Sequence, residues 1–279
     1  MTDAWPATTR VELAKLLAFV RRDLLVLFSY RLAFLGDIAN LAFQSLTFYF
    51  VSLMINPTTL PEYGGTQSTY MAFVGIGIAF GAFMQVGMGR VVSGIRNEQV
   101  LGTLESLFMT PTRPLTLQIG LVVYDLLYVP IRTAIFLTIL MGIFGVRFDV
   151  GAVAPALAVL LLFIPVVWGL GMLGAGSVLT FRRGGGVIGL IGAAISVGSG
   201  AYFPLALLPD WLAPILEASP VAVAFDAARS TLIGGEGWAD ITGELMYLFV
   251  SGVVSLAVGL WAVGAAIRRE RRMGTLSHY

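Results

Sequence analysis

VGAVAPALAVLLLFIPVVWGLGMLGAGSVLTF, residues 150–181, runs for 32 positions without one charged side chain. About 20 predominantly apolar residues in a helix cross the roughly 30 Å hydrocarbon core of a bilayer, and this stretch exceeds that. The rest of the chain agrees. Its 279 residues are 57% hydrophobic and only 12% charged, with mean hydropathy +0.87, where a soluble domain carries roughly 25% charged residues. A surface that poor in charge is stable only where lipid replaces water. The 33 glycines fit as well, because glycine lets membrane helices approach closely.

Five more apolar runs accompany the first, giving six expected spans at residues 32–55, 70–92, 115–146, 150–181, 187–208 and 244–267. The longest, 115–146 and 150–181, exceed the length of a simple crossing, so they tilt, break or extend past the membrane. A β-barrel would show short alternating segments instead. All but three of the 17 basic residues fall at one side. Arg10, Lys15, Arg21, Arg22 and Arg31 precede span one, and Arg90, Arg96 and Arg113 follow span two. Arg182 and Arg183 separate spans four and five, and Arg268, Arg269, Arg271 and Arg272 follow span six. Basic residues mark the cytoplasmic side, so both termini are expected there. The exceptions are Arg147, Arg229 and the intramembrane Arg132. No cleavable leader is evident, and the first span is expected to act as an uncleaved insertion signal.

Whole classes of chemistry fall away. The chain has no cysteine and its single histidine is His278, which removes thiolate chemistry and any histidine-based triad or metal site. Gly184-Gly185-Gly186 lacks the following lysine that a phosphate-binding loop requires, and the sole lysine is Lys15. Residues 56–69, with Pro57, Pro61, Gly64 and Gly65, read as a small turn-rich outer loop. The loop at 209–243 is acidic, carrying Asp210, Glu217, Asp226, Glu236 and Asp240 against Arg229.

Three segments are not plain spans. In residues 10–30 Val11, Leu13, Leu16, Leu17, Val20, Leu24 and Leu27 recur mainly at helical spacing, and Lys15, Arg21, Arg22 and Asp23 interrupt them. This suits a helix in the membrane interface, apolar face in lipid and cations among headgroups; the alternative is an extension of span one in water. Residues 97–109 read as a short cytoplasmic helix with Asn97 as N-cap and Thr110-Pro111 as stop. Its stripe of Leu101, Leu104, Leu107 and Phe108 either seats in a partner's groove or folds back on the bundle. Residues 203–218 carry Pro204, Pro209 and Pro214, which one uninterrupted helix does not accept. They read as a broken segment that dips into the outer surface or lies flat, with Trp211 as interfacial anchor.

Within the spans, charge is costly and marks pairing or a pathway. Asp125 and Arg132 stand seven residues apart on one face of span three, where they either lock helices or steer a substrate headgroup. Asp37 sits one turn into span one and can meet Arg31, another cytoplasmic arginine or a subunit interface. Phe43, Phe50, Phe73, Phe80 and Phe83 are candidate apolar lining for a substrate path, and equally lipid-facing or packing residues.

This arrangement resembles the ABC-2 type permeases, also called type V exporters, along essentially the whole chain. The resemblance is carried by Glu98-x-x-x-Gly102-Thr103-Leu104-Glu105-x-Leu107 ending at Thr110-Pro111. A second element runs from Phe203-Pro204 through Leu208-Pro209-x-Trp211 and Ser219-Pro220 to Asp226-x-x-Arg229. It implies an all-α polytopic membrane protein: an interfacial helix, six spans, a coupling helix and re-entrant outer helices before the last span, all in a single transmembrane domain over residues 1–279. It further implies that Glu98, Leu101, Gly102, Thr103, Leu104, Glu105, Leu107 and Phe108 engage a cytoplasmic ATPase. Phe203, Pro204, Pro209 and Trp211 would belong to an outer gate. On the same footing, two ATPase subunits holding ATP and Mg would pair with two permeases, identical or closely related, in a bacterial cytoplasmic membrane. The cargo would be hydrophobic or amphipathic, and this chain would bind no cofactor and no nucleic acid. The compact form is similar in character to bacterial drug, antibiotic or lipid exporter half-transporters. From residues alone, a non-transporting scaffold for an ATPase and an ATP-independent carrier remain alternatives.

Overall fold

The computed structural model describes residues 17–22, 24, 25, 29, 31–56, 60–100, 124–181, 192, 194, 195 and 197–273. Helix α1 spans Arg31–Ser52, and a two-residue hairpin follows, β1 Glu62–Tyr63 against β2 Thr66–Gln67. Then come α2 Tyr70–Val100, α3 Asp125–Phe144, and α4 Val153–Phe181, which is entered through a 3-10 turn at Val150–Ala152. A 3-10 turn at Leu205–Leu207 leads to α5 Ala213–Glu217, α6 Pro220–Leu232 and α7 Thr242–Met273. Four of the described helices, α2, α3, α4 and α7, contain stretches long and apolar enough to cross a membrane. Helix α1, at 22 residues, has the length; Asp37, Asn40 and Gln44 interrupt its apolar run. The fold is an all-α polytopic membrane architecture. Residues 17–22, within the expected interfacial segment, are helical, and Arg22 lies 5.0 Å over the Phe19 ring one turn away.

Local chemistry explains several boundaries. Gly145 ends α3 in the left-handed conformation at φ 66°, its N–H returning to the Leu140 carbonyl, as glycine alone does without strain. Asp149 opens the next turn, its carboxylate accepting from the Gly151 N–H at 2.7 Å, a standard N-cap arrangement. Pro130 and Pro165 lie inside α3 and α4, where neighbouring helices tolerate the missing donor.

Three expectations change. Helix α2 does not end at residue 92: its 31 residues continue through Asn97 to Val100, so Asn97 is an interior residue and not an N-cap. The span expected at 187–208 is helical at residues 192, 194, 195, 197 and 198. It then turns at Ser199 and Gly200, with Gly200 at φ 70°. Pro204 and Pro209 keep the following backbone from rejoining a helix. The third change is α6, a 13-residue helix within what reads as an outer loop. Its start is legible locally: the Ser219 hydroxyl accepts from the Ala222 N–H at 3.1 Å, and Pro220 takes the first helical position, where its lost N–H has no cost.

Three connections gather at one end of the bundle. The Asp149 N–H donates to the Leu232 carbonyl at 2.8 Å, joining the α3–α4 connection to the end of α6. Gly64, at the hairpin tip, lies against the backbone of Gly234. The hairpin, the α3–α4 turn and the α6–α7 turn therefore share one face, the end poor in basic residues.

Helix α2 is the most enclosed, with 83% of its apolar window buried against 22% for α3 and α7. Phe80, Phe83, Phe163 and Phe225 form its aromatic centre, with ring centroids 5.6 to 6.1 Å apart, offsets at which aromatic pairs attract. The outer faces of α3 and α7 display Ile131, Ile143, Phe249, Val253 and Trp261, a lipid-facing surface. Between helices in lipid there is little hydrophobic drive, so close packing carries the association. Helix α7 makes its most extensive packing with α4, where Gly169 abuts the Ser255 backbone and Gly259 abuts Gly169. The glycines of α2 are used selectively: Gly75, Gly77 and Gly87 meet Leu140, the Ala201 carbonyl and Val167, while Gly81 and Gly89 have open space. Gly169→Ala is therefore expected to destabilise the protein by about 1–3 kcal/mol through backbone collision, and Gly81→Ala to be neutral within about 1 kcal/mol. Thermal unfolding in one detergent checks both; equal stabilities would remove the close-packing account of the α4–α7 seam.

Candidate functional site

Helix α6 builds the most developed polar site. Val221, Ala224, Phe225, Ala228 and Leu232 form its buried face, and Arg229 extends from the same helix into the protein at 3% exposure. Its Nε donates to the Phe73 carbonyl at 3.2 Å, and Nη2 donates to the carbonyls of Gly200 at 2.8 Å and Ala201 at 3.2 Å. The guanidinium sits 3.6 Å from the centroid of the Phe73 ring, a cation–π geometry. Gly200 and Ala201 lie where the fifth span breaks, and a helix end leaves carbonyls without intrahelical donors. A planar fork of N–H groups is suited to several acceptors at once. Arg229 thus completes the backbone hydrogen bonding that the break opens.

The hairpin and α2 close around the same region. The Tyr63 hydroxyl donates to Asp226 Oδ1 at 3.0 Å, and Tyr70 donates to the Tyr202 carbonyl at 3.1 Å. Burial raises the Tyr63 hydroxyl well above the usual phenol pKa, with Arg229 opposing that rise, so Tyr63 remains a donor at all physiological pH. Phe48 of α1 stacks on Tyr202 at 5.3 Å between centroids. A cavity of about 320 Å³ opens beside Arg229, with Phe73, Pro204, Leu205, Val223, Glu217 and Glu244 among its walls.

A second polar cluster joins α1, α3 and α4. Asp125, Tyr128 and Arg132 recur at three and four residues on α3, as the shared-face reading anticipates. They do not serve as one pair, however. Arg132 meets Asp37 of α1, with Nε–Oδ2 at 2.5 Å and Nη2–Oδ1 at 3.0 Å. Tyr128 donates to Asp37 Oδ2 at 3.0 Å. Asp125, fully buried, accepts from Trp168 Nε1 of α4 at 3.3 Å. Two carboxylates thus tie α3 to two different helices. The Asp37 side chain remains 30% exposed, on the rim of the bundle.

The remaining candidates scatter. Phe43 and Phe50 point outward and are largely exposed, whereas Phe73, Phe80 and Phe83 are packed inside the protomer. Phe203 is half-buried, Pro204 buried, and Pro209 and Trp211 exposed. Glu98 lies on the last turn of α2, and Leu101, Gly102, Thr103, Leu104, Glu105, Leu107 and Phe108 fall outside the described residues. Sequence reading placed Arg229 only as a loop charge and a motif residue. Its structural role was signalled by an arginine on the apolar face of a segment that opens with Ser219-Pro220. Among the described residues no group of three His, Cys, Asp or Glu side chains is placed to hold a metal ion.

Long apolar helices, charges paired between helices and a broken segment between them define a polytopic membrane protein. The chain belongs to the ABC-2 type transporter family, whose sequence pattern matches residues 14–233, from the N-terminal segment through α6. It is a membrane permease component of a transporter. No curated protein matches the chain.

Replacing Arg229 leaves the Gly200 and Ala201 carbonyls without this donor, at about 1–3 kcal/mol for each buried group left unsatisfied, while the Phe73 carbonyl, inside α2, keeps its helix bond. Arg229→Met is expected to lower stability by at least about 2 kcal/mol. Arg229→Lys is expected to recover part of this, because an ammonium lacks the planar fork. A wild-type unfolding midpoint for Arg229→Met would contradict the assignment. For the second cluster, Asp37→Asn, Arg132→Met and the double variant form a cycle with an expected coupling of about 1–3 kcal/mol. Strict additivity of the unfolding free energies would mean the ion pair contributes nothing.

Proposed function

We propose that this chain is the membrane-spanning subunit of an ATP-driven exporter, with ATP and Mg held by a separate cytoplasmic subunit. The carrying observation is membership of the ABC-2 type transporter family across residues 14–233, in a sequence with no phosphate-binding loop of its own. On this reading two permeases, identical or closely related, assemble with two ATPases in a bacterial cytoplasmic membrane. Both termini face the cytoplasm, as the placement of basic residues supports.

The length of α2 supports the coupling part. Its 31 residues extend about 46 Å, well beyond a hydrocarbon core of roughly 30 Å. A helix of that length projects its C-terminal end beyond the hydrocarbon, and the sequence that follows it supplies the apolar stripe of Leu101, Leu104, Leu107 and Phe108 suited to an ATPase groove. Closure of the ATPases would displace this end, and the segment around Phe203, Pro204, Pro209 and Trp211 would part on the opposite side. ATP can bias the two conformations only through differential binding, so the coupling contact must itself differ between them. The cargo is hydrophobic or amphipathic. Since Phe73, Phe80 and Phe83 are packed within the protomer, a path along them would require rearrangement of the aromatic centre.

The test is purification of the chain from its native membrane in mild detergent. A stoichiometric P-loop ATPase should accompany the wild type and be lost from Leu104→Asp combined with Phe108→Asp. Reconstituted complex should then hydrolyse ATP faster when cargo is present. Absence of any ATPase across several detergents would defeat the proposal in favour of an ATP-independent carrier. Retained ATPase without cargo-dependent hydrolysis or export would favour a scaffold.

A further inference from the structure

We propose that the outward face of α1 is a homotypic interface, pairing in parallel with α1 of a second copy of this chain along a seam of Gly36, Asn40, Phe43, Thr47 and Phe50. This deepens the two-permease reading and rests on it. That reading leaves the touching surface open, and the seam commits it to one helix and to an identical partner.

The five positions advance by four, three, four and three residues. This is the heptad rhythm of a coiled-coil seam, with Asn40 and Thr47 at a positions and Gly36, Phe43 and Phe50 at d positions. All five are exposed, Phe43 at 72% and Phe50 at 60%, and a Cβ added at Gly36 would meet nothing within 4 Å. The protomer holds α1 by its other side. Ile38, Leu41 and Ser45 are buried, Phe48 stacks on Tyr202, and Asp37 reaches Arg132. Ile38 and Ser45 are f positions of the same heptad, which point directly away from a seam. The heptad is thus filled on its back and unfilled along its a and d line.

Lipid is a poor neighbour for that line. Asn40 lies nine residues beyond Arg31 in α1, about 14 Å along the helix and near the middle of a roughly 30 Å hydrocarbon core. It is exposed there, and among the described residues its side chain makes no hydrogen bond. An amide without a partner in hydrocarbon is costly, whereas asparagine side chains in membranes bond across helix pairs. A single asparagine at an a position also fixes the register of a helix pair. Phe43 and Phe50 supply packing area beyond it, and Gly36 lets the backbones approach.

Topology selects the partner. Two copies inserted in the same orientation are related by a two-fold axis along the membrane normal. That symmetry makes the two α1 helices parallel and sets each seam residue opposite itself, so Asn40 meets Asn40 of the second copy. Asn40 and Thr47 set this face apart from the outer face of α7, where Phe249, Val253 and Trp261 suit lipid.

The chain has no cysteine, so single substitutions report without background. Asn40→Cys, Phe43→Cys, Thr47→Cys and Phe50→Cys are oxidised in intact membranes beside two exposed controls, Leu35→Cys on the flank of α1 and Phe249→Cys on α7. The seam variants should form disulfide-linked dimers at least about fivefold more than either control, because a disulfide requires Cα atoms within about 7 Å. Asn40→Leu, at a position exposed in the protomer, should weaken self-association in lipid vesicles about three- to tenfold, read by energy transfer between labelled chains on dilution into excess lipid. Its unfolding midpoint should match the wild type. Native mass spectrometry from nanodiscs separates this seam from the two-permease reading. Dimers whose seam cysteines do not link, or instead react with a hydrophilic maleimide as a water-filled lining would, overturn the seam and leave two permeases standing. Wild-type association of Asn40→Leu also overturns the seam, and monomers alone overturn both.

Discussion

A helix that stops inside a membrane protein leaves carbonyls that lipid cannot satisfy. The helical segment that reaches residues 197 and 198 stops this way at Gly200, and Arg229 answers it. One guanidinium bonds Gly200 and Ala201 on the broken side and Phe73 on α2, so three separate pieces of chain meet on one side chain. Everything at the hairpin end follows from that junction. Helix α6 must penetrate far enough to deliver Arg229, and Phe225, one turn earlier, consequently joins Phe80 and Phe163 in the aromatic centre. Asp226, on the outer flank of α6, is then in reach of Tyr63, which fixes the hairpin above it.

The second organising contact is steric. Helix α7 lies along α4 because Gly169 and Gly259 remove the side chains that would hold the backbones apart. The polar cluster of Asp37, Tyr128 and Arg132 does the equivalent for α1 and α3 with charge. These two modes respond differently to change. Small-residue seams tolerate sliding as long as no bulk is added, whereas an ion pair between helices fixes a register and penalises loss of either partner. Helix α3 carries directional bonds to Asp37 on one side and Trp168 on the other, packs Phe136 and Leu140 inside the protein, and otherwise presents little enclosed surface.

Much of this architecture was legible in the residues. Uninterrupted apolar runs such as 150–181 report spans directly, because length and polarity are the only requirements a bilayer imposes. Which glycines of α2 are used depends on neighbours that no local pattern specifies. What local pattern could not supply was partnership. Asp125 and Arg132 share a face of α3, yet their partners, Trp168 and Asp37, come from segments 43 and 95 positions away. Helix α6 was obscured by composition, since Ala-rich turns beside acidic residues read as a loop when the Ser219-Pro220 start is given too little weight. The end of α2 was misplaced for the opposite reason: Asn97 is a good cap in isolation, and the helix simply continues past it.

Helix α2 has one further property when treated as a rigid rod. Gly77 presses its backbone against the Ala201 carbonyl, with no side chain to cushion the contact, and this makes a fulcrum. From there to Val100 is about 35 Å of helix, and to Tyr70 about 10 Å. A rod pivoted so unequally works as a reduction gear: a displacement at the far tip reaches the hairpin end about threefold smaller, with force multiplied in the same ratio. Hydrogen bonds such as those around Arg229 pass out of bonding range within about 1 Å. On these arm lengths, a displacement of about 3 Å at the far tip is the scale on which they would be strained.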